Sequence, residues 1–415
     1  MPPVQHASQI AGQDKQQVTA QDATQATRQR VLVGALALGI AFSLSMQTVS
    51  AQTNTVRYDD IAGKAKQAPG PAVAISTNYF LAWTGAWDSV ILREREIWKK
   101  WLPAGSSIEW KRNLIGPPVI SELLAGKQQI GYIGDNPSIL AITKRDIAEL
   151  DLVAINATSP TRMCGNIIVR KDAPTFAGYK DALQWLAGKT LAAPKGSCAD
   201  RLGQIVVKQA GITVNWQQLP PEVTITSLEA RKIDAAVMFE PYASKALFDG
   251  VGRFAVSPAI YGETDANGIV VRRDFIEKNR AAVVAWLKAD IEALVFLRDN
   301  PVESVNILKK QLPEYTRENL WFAVYASLPP ETGAPSATVL EGAFAYTPAV
   351  KGLIERVGTF LFDSKLTQSA ALPPGSVRED LVTQAFQELN LDPTKSLFAL
   401  PGGSQSPFKG DDPVK

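Results

Sequence analysis

The 415-residue chain has one histidine, His6, and two cysteines, Cys164 and Cys198. His6 falls in an N-terminal segment that reads as a removable export signal, so the mature chain is expected to hold no histidine. That excludes Ser-His-Asp and Cys-His nucleophiles, histidine general bases and histidine-bound metals. No catalytic residue, metal or cofactor is expected, and the chain does not read as an enzyme. Charge of one sign is also missing. Lys and Arg number 43 against 41 Asp and Glu, a net charge of +2, so no nucleic acid or other polyanionic partner is implied. Long apolar runs are scarce. "VLVGALALGIAFSLSM", Val31 to Met46, is 16 residues long and short for a membrane span.

That run follows Arg28 and Arg30, and "TVSAQ" comes after it, with Val49 and Ala51 suited to the −3 and −1 positions of a signal-peptidase site. Residues 1–51 are therefore expected to be a signal peptide. An uncleaved anchor is the alternative, and either one places the remainder outside the cytoplasm, in the periplasm. An oxidising compartment favours a disulfide between Cys164 and Cys198 over two buried thiols. A loop of that length is worth roughly 4 kcal/mol in the chain-entropy picture.

Residues 52–70 read as a polar, mobile linker. From Pro71 short β-rich runs alternate with helical periods. "PAVAIS", "SSIEWKR", "QIGYIGD" and "LDLVAINA" read as strands, and "DSVILREREIWKKWL" and "PPVISELLAGK" as helices. The pattern then restarts with "GNIIVRKD" as a strand, continues through "KTLAAP" and "IDAAVMFEP", and is echoed by "NGIVVRRDF" about a hundred residues later. Beyond Ile276 the chain reads as mainly helical, and the tail after Leu400 as disordered. These alternations predict an α/β protein with two mostly parallel sheets flanked by helices. Ligands of such sheets lie beyond the carboxyl ends of the strands. The segments Asn78–Trp87, Gly134–Pro137, Gly196–Ala199 and Glu240–Tyr242 are therefore expected to line a cleft.

"APKGSCADRLGQ", Ala193 to Gln204, poses the chemical question. Cys198 at a helix start suits an activated thiolate. The N–H groups of Gly196 to Ala199 suit an anion cradle. An ordinary turn with Ser197 as N-cap suits the same residues.

Four segments, "LLAGKQQIGYIGDNPSI", "LAAPKGSCADRLGQIVVKQAGI", "LEARKIDAAVMFEPYASKA" and more loosely "FLAWTGAWDSV", resemble the periplasmic substrate-binding proteins of ABC importers for aliphatic sulfonates, taurine and nitrate, a group that includes pyrimidine-precursor binders. The resemblance implies a two-lobed periplasmic binding protein fold of type II, with two crossovers and a helical C-terminal extension. The first lobe would span 71–158 and 262–400, the second 159–261, with a tail at 401–415. It implies a monomeric receptor that carries a small organic anion, foremost a sulfonate, to a membrane permease. Nitrate, a carboxylate, a pyrimidine precursor, or service to a membrane signalling protein are the other readings. It also implies the site. Gly196, Ser197, Cys198 and Ala199 would cradle the anion, with Ser197 as side-chain donor. Asn136 would bind an oxyanion, and Asp135 an ammonium. Among the aromatics of "NYFLAWTGAWDS", Trp83 and Trp87 would face the ligand. Glu240 would take an amine or latch the lobes, with Tyr242 beside it, and Arg162 or Arg201 would pair with the anion. Cys164 would lie near Cys198 on the cleft floor, and their disulfide would stiffen the turn.

Overall fold

The computed structural model describes residues 53–160, 162–334 and 338–409. The expected signal peptide, residues 1–51, lies outside them. Among the described residues no helix is long and apolar enough to cross a membrane.

Two sheets organise the chain. The first holds β1 (Ala74–Phe80), β2 (Ser107–Asn113), β3 (Ile130–Gly134), β4 (Leu150–Ser159), β10 (Asp265–Arg272), β11 (Thr338–Gly342) and β12 (Phe398–Pro401), in the order β12-β11-β4-β10-β3-β1-β2. The second holds β5 (Asn166–Arg170), β6 (Thr190–Ala193), β7 (Asn215–Gln218), β8 (Ala235–Met238) and β9 (Gly252–Val256), in the order β7-β6-β8-β5-β9. The chain crosses from the first sheet to the second after β4 and returns after β9. Burial follows position. Every residue of the central strand β4 is buried, as covering on both faces requires, whereas β2 at the edge alternates.

Most strands run in one sense, but the echoed segments do not. β5 pairs antiparallel with β8 and β9, and β10 antiparallel with β3 and β4. The echoed segments "NIIVR" and "NGIVVR" thus mark the strand that enters each sheet directly from a crossover. A chain arriving from the other sheet enters from the opposite end, which reverses the strand.

Three expectations need correction. The segment 53–70 is not a free linker. Asn54 donates to the carbonyls of Asp392 and Lys395 at 3.1 and 3.0 Å, and Val56 and Ile61 are buried. Two apolar anchors in a polar stretch suffice to dock it. The C-terminal part is not only helical, since β11 and β12 extend the first sheet. Nor are residues 401–409 disordered. Phe408 is buried against Trp321, whose indole donates to the Ser404 carbonyl at 3.0 Å.

Candidate functional site

Between the two sheets lies a cavity of about 40 Å³, walled by Phe80, Trp83, Leu114, Ile115, Phe239 and the Cys198 turn. Its walls are apolar, yet three helices begin at it: Gly116–Leu124, Asp135–Ile142 and Cys198–Gln209. A helix start carries a partial positive charge and unpaired N–H groups, although Pro117 and Pro118 in the first helix and Pro137 in the second have no N–H to offer, and the Asn136 N–H is taken by the Asp135 carboxylate. The N–H groups of Cys198 and Ala199 have no acceptor among the described residues. The indole N–H of Trp83, a residue only 5% exposed, also lacks one. Gly85 makes this placement of Trp83 feasible, because a Cβ there would lie 2.6 Å from the ring. The cavity therefore combines an electropositive backbone with an apolar enclosure and no charged side chain in contact, which suits an anion with an apolar body.

The residues singled out in the sequence divide into several groups. Ser197 is the N-cap of its helix. It accepts from the Asp200 N–H at 3.2 Å and donates its hydroxyl to the Pro194 carbonyl at 2.6 Å, so that donor is already engaged. Gly196, at φ +73°, gives its N–H to Asp200 at 2.9 Å. The open part of the cradle is thus Cys198 and Ala199. Cys198 is joined to Cys164 by a disulfide, which leaves no thiolate. Asn136 donates to the Gly196 carbonyl at 3.3 Å, tying the two halves together, and its side-chain oxygen is buried without a partner. Asp135 does not await an ammonium: Arg201 donates to it at 2.6 Å and to Glu263 at 3.1 Å. Burial raises the Asp135 pKa against the opposing pull of Arg201. Burial also works against the Arg201 charge, but Asp135 and Glu263 outweigh it and hold its pKa high.

Glu240 and Arg162 likewise pair with one another, at 2.8 Å, with both fully enclosed, and the Arg162 Nε and Nη1 have no partner among the described residues. Burial raises the Glu240 pKa and lowers that of Arg162. The Arg162 guanidinium stacks 4.6 Å from the Phe322 ring centre and donates to the Phe322 carbonyl. Neither side chain reaches the cavity. Trp87 is a core residue with no exposure, and its indole donates to the Leu81 carbonyl at 3.0 Å. The helix start between Trp83 and Trp87 turns the two rings to opposite destinations. Tyr242 donates to Glu222 in a neighbouring chamber rather than in this cavity.

The sequence pattern of the NMT1-like family matches residues 67–306. The chain belongs to the NMT1-like family. Among curated relatives, the "Putative aliphatic sulfonates-binding protein" of Escherichia coli is 27% identical over 233 residues, covering 55% of this chain and 69% of that protein. Two solved structures share the fold. The periplasmic aliphatic sulphonate binding protein SsuA of Escherichia coli has a TM-score of 0.60 at 21% identity, covering 76% of this chain and all of that one. The periplasmic nitrate-binding protein NrtA of Synechocystis PCC 6803 has a TM-score of 0.60 at 16% identity, covering 76% and 89%. These relatives are named as sulfonate- and nitrate-binding proteins, and this NMT1-like chain has the periplasmic binding protein fold.

Sequence reasoning passed over two parts of this NMT1-like site. One is the loop Leu114–Gly116 after β2, which forms a cavity wall; its position beyond a strand end was the available signal. The other is a buried acid pair that does not line the cavity. Asp88 and Asp290 are buried together with Asn156, which donates to both, and Tyr132 donates to Asp290 at 2.8 Å. Burial and mutual repulsion push the Asp88 pKa well up, and burial lifts Asp290 to about 7. The pair spans some two hundred positions of sequence, which no local pattern reports.

Proposed function

We propose that this protein is the solute receptor of an ABC importer and binds a small organic anion, foremost a sulfonate, between its two sheets. The observation that carries this reading is the meeting of three helix N-termini on one apolar cavity. The head group would accept from the N–H groups of Cys198 and Ala199 and from the Trp83 indole. Phe80, Ile115 and Phe239 would enclose the apolar body. In this reading the lobes are 71–158 with 262–400, and 159–261, and they close on the ligand by a hinge. Asn136 to Gly196, Arg201 to Asp135 and the Thr84 N–H to the Glu240 carbonyl at 3.0 Å would be the contacts of the closed state. The partners would be a membrane permease and its ATPase, with the receptor in the periplasm. The names of the relatives support the class.

A second reading, nitrate, is favoured by one feature. The cavity is small, at about 40 Å³, which suits a compact anion. A thermal-shift panel on the chain without residues 1–51 separates the readings. Ligand at a thousand times Kd adds about 4 kcal/mol. The expected result is a rise in Tm with alkanesulfonates. A rise with nitrate alone selects the second reading, and a rise only with a neutral pyrimidine overturns the anion seat.

A further inference from the structure

Three groups from distant parts of the chain meet beside the cradle. Cys164 lies where the chain passes from the first sheet to the second, Asp265 opens β10 where it returns, and Cys198 starts the helix after β6. The two sulfurs and a carboxylate oxygen of Asp265 all lie within 4.8 Å of one another, and the sulfurs are bonded. All three residues are buried, and of the three it is Cys198 that lines the small cavity. Gly165, at φ +83°, presses the chain beside Cys164 onto the Cys198 helix: a Cβ there would lie 2.5 Å from the Leu202 side chain. The sulfurs therefore stay neighbours when the bond between them opens.

Asp265 forms no ion pair among the described residues. Arg201 is taken by Asp135 and Glu263, and the Asp265 Oδ2 is buried without a partner. A buried carboxyl left over in this way holds a proton rather than a charge. Burial first, and then the Asp135 charge, push its pKa well up against the pull of Arg201. The reactive group within its reach is the disulfide. Such a bond opens by thiolate attack, and the departing sulfur leaves as a thiolate that a nearby acid can protonate.

We propose that Cys164–Cys198 is an exchange site for a dithiol reductant, with Asp265 as its proton donor, and that its redox state switches the anion seat. One thiol of the reductant, ionised in solvent, attacks the Cys198 sulfur. The S–S bond breaks, and Cys164 leaves with the electron pair and takes the Asp265 proton. The second thiol returns a proton to Asp265 and attacks the reductant's own sulfur in the mixed disulfide. Cys198 then leaves and takes a proton from solvent. The reductant ends as a disulfide and the protein as two thiols. The switch rests on the reading of the small cavity as the anion seat, because the Cys198 N–H belongs to the cradle that the bond holds in place. Coupling of this kind is reciprocal, so a bound anion protects the bond.

Reduction by dithiothreitol of the chain without residues 1–51, followed by alkylation and mass, tests the exchange site. The chain has no other cysteine, so thiol counts report this bond alone. Asp265→Asn is expected to be reduced about a hundredfold more slowly than the wild type near neutral pH. The gap is expected to close towards pH 9 as Asp265 ionises, a trend that a merely structural role would not produce; the charged groups acting on it are Asp135 and Arg201. Equal rates from pH 6 to pH 9 overturn the exchange site. Calorimetric titration of the oxidised and reduced wild type with 1-butanesulfonate and with nitrate tests the switch. The reduced form is expected to bind about tenfold more weakly. Equal affinity of the two forms overturns the switch and leaves the anion seat standing. Heat from neither form overturns the seat and the switch together, while the rates still judge the exchange site.

Discussion

Ser197 shows how far a single residue can be read. A serine before a helix is needed by an anion cradle and by an N-cap alike, and only the Pro194 carbonyl, which takes its hydroxyl hydrogen, decides between them. Trp83 and Trp87 were equally ambiguous. Their spacing places both near a helix start, but Gly85 lets the Trp83 ring fold over it while Trp87 turns into the core. The indole N–H of Trp83 is the testable part. Trp83→Phe keeps most of the ring and deletes the donor. Sulfonate affinity is expected to fall about tenfold, in line with a lost hydrogen bond to a charged group, with Tm of the unliganded protein little changed. Calorimetry and a melting curve on the same sample check both halves.

At the scale of elements, the Cys198–Gln209 helix is clamped from two sides. The disulfide ties its start to Cys164, ahead of β5, and Arg201 ties its first turn to Asp135 and Glu263. The start of the helix, where the free N–H groups lie, is thereby held to both halves. Arg201→Gln leaves Asp135 buried without its cation. Such a broken pair typically costs about 3–5 kcal/mol. Urea unfolding is expected to show that loss, with part of it recovered when Asp135→Asn is added. The sequence pointed to Asp135 and Arg201 separately as candidates for ligand charges. Their mutual neutralisation was not legible, because they are brought together only when the helix start after β3 meets the helix after β6.

At the scale of the whole molecule, the buried Asp88–Asp290 pair makes stability depend on pH. Carboxyls in the unfolded chain titrate near 3.9, whereas Asp290 is raised to about 7 and Asp88 well above its ordinary value. From about pH 4 upward the native state therefore holds more protons than the unfolded one. Stability falls as pH rises through that window, by about 1.4 kcal/mol per pH unit for each extra proton held. Urea unfolding from pH 5 to pH 8 is expected to show the decline, and Asp88→Asn to flatten it. An equal slope in the variant would remove the pair as the cause.

The sequence alone determined the architecture and most of the cleft border, because strand and helix periods are local and ligands of such sheets gather at strand ends. It also narrowed the chemistry: with no histidine outside the N-terminal segment, histidine nucleophile partners, histidine general bases and histidine metal ligands had no residue to use. Tertiary structure decided the rest. It paired Asp135 with Arg201 and Glu240 with Arg162, and so removed four charged candidates from ligand contact. It docked segments that looked mobile, and it assembled the acid pair and the cluster of Cys164, Cys198 and Asp265 from chain segments far apart. The reason is the same in each case. A buried charge must find its partner in space, and the distance that matters is not the one along the chain.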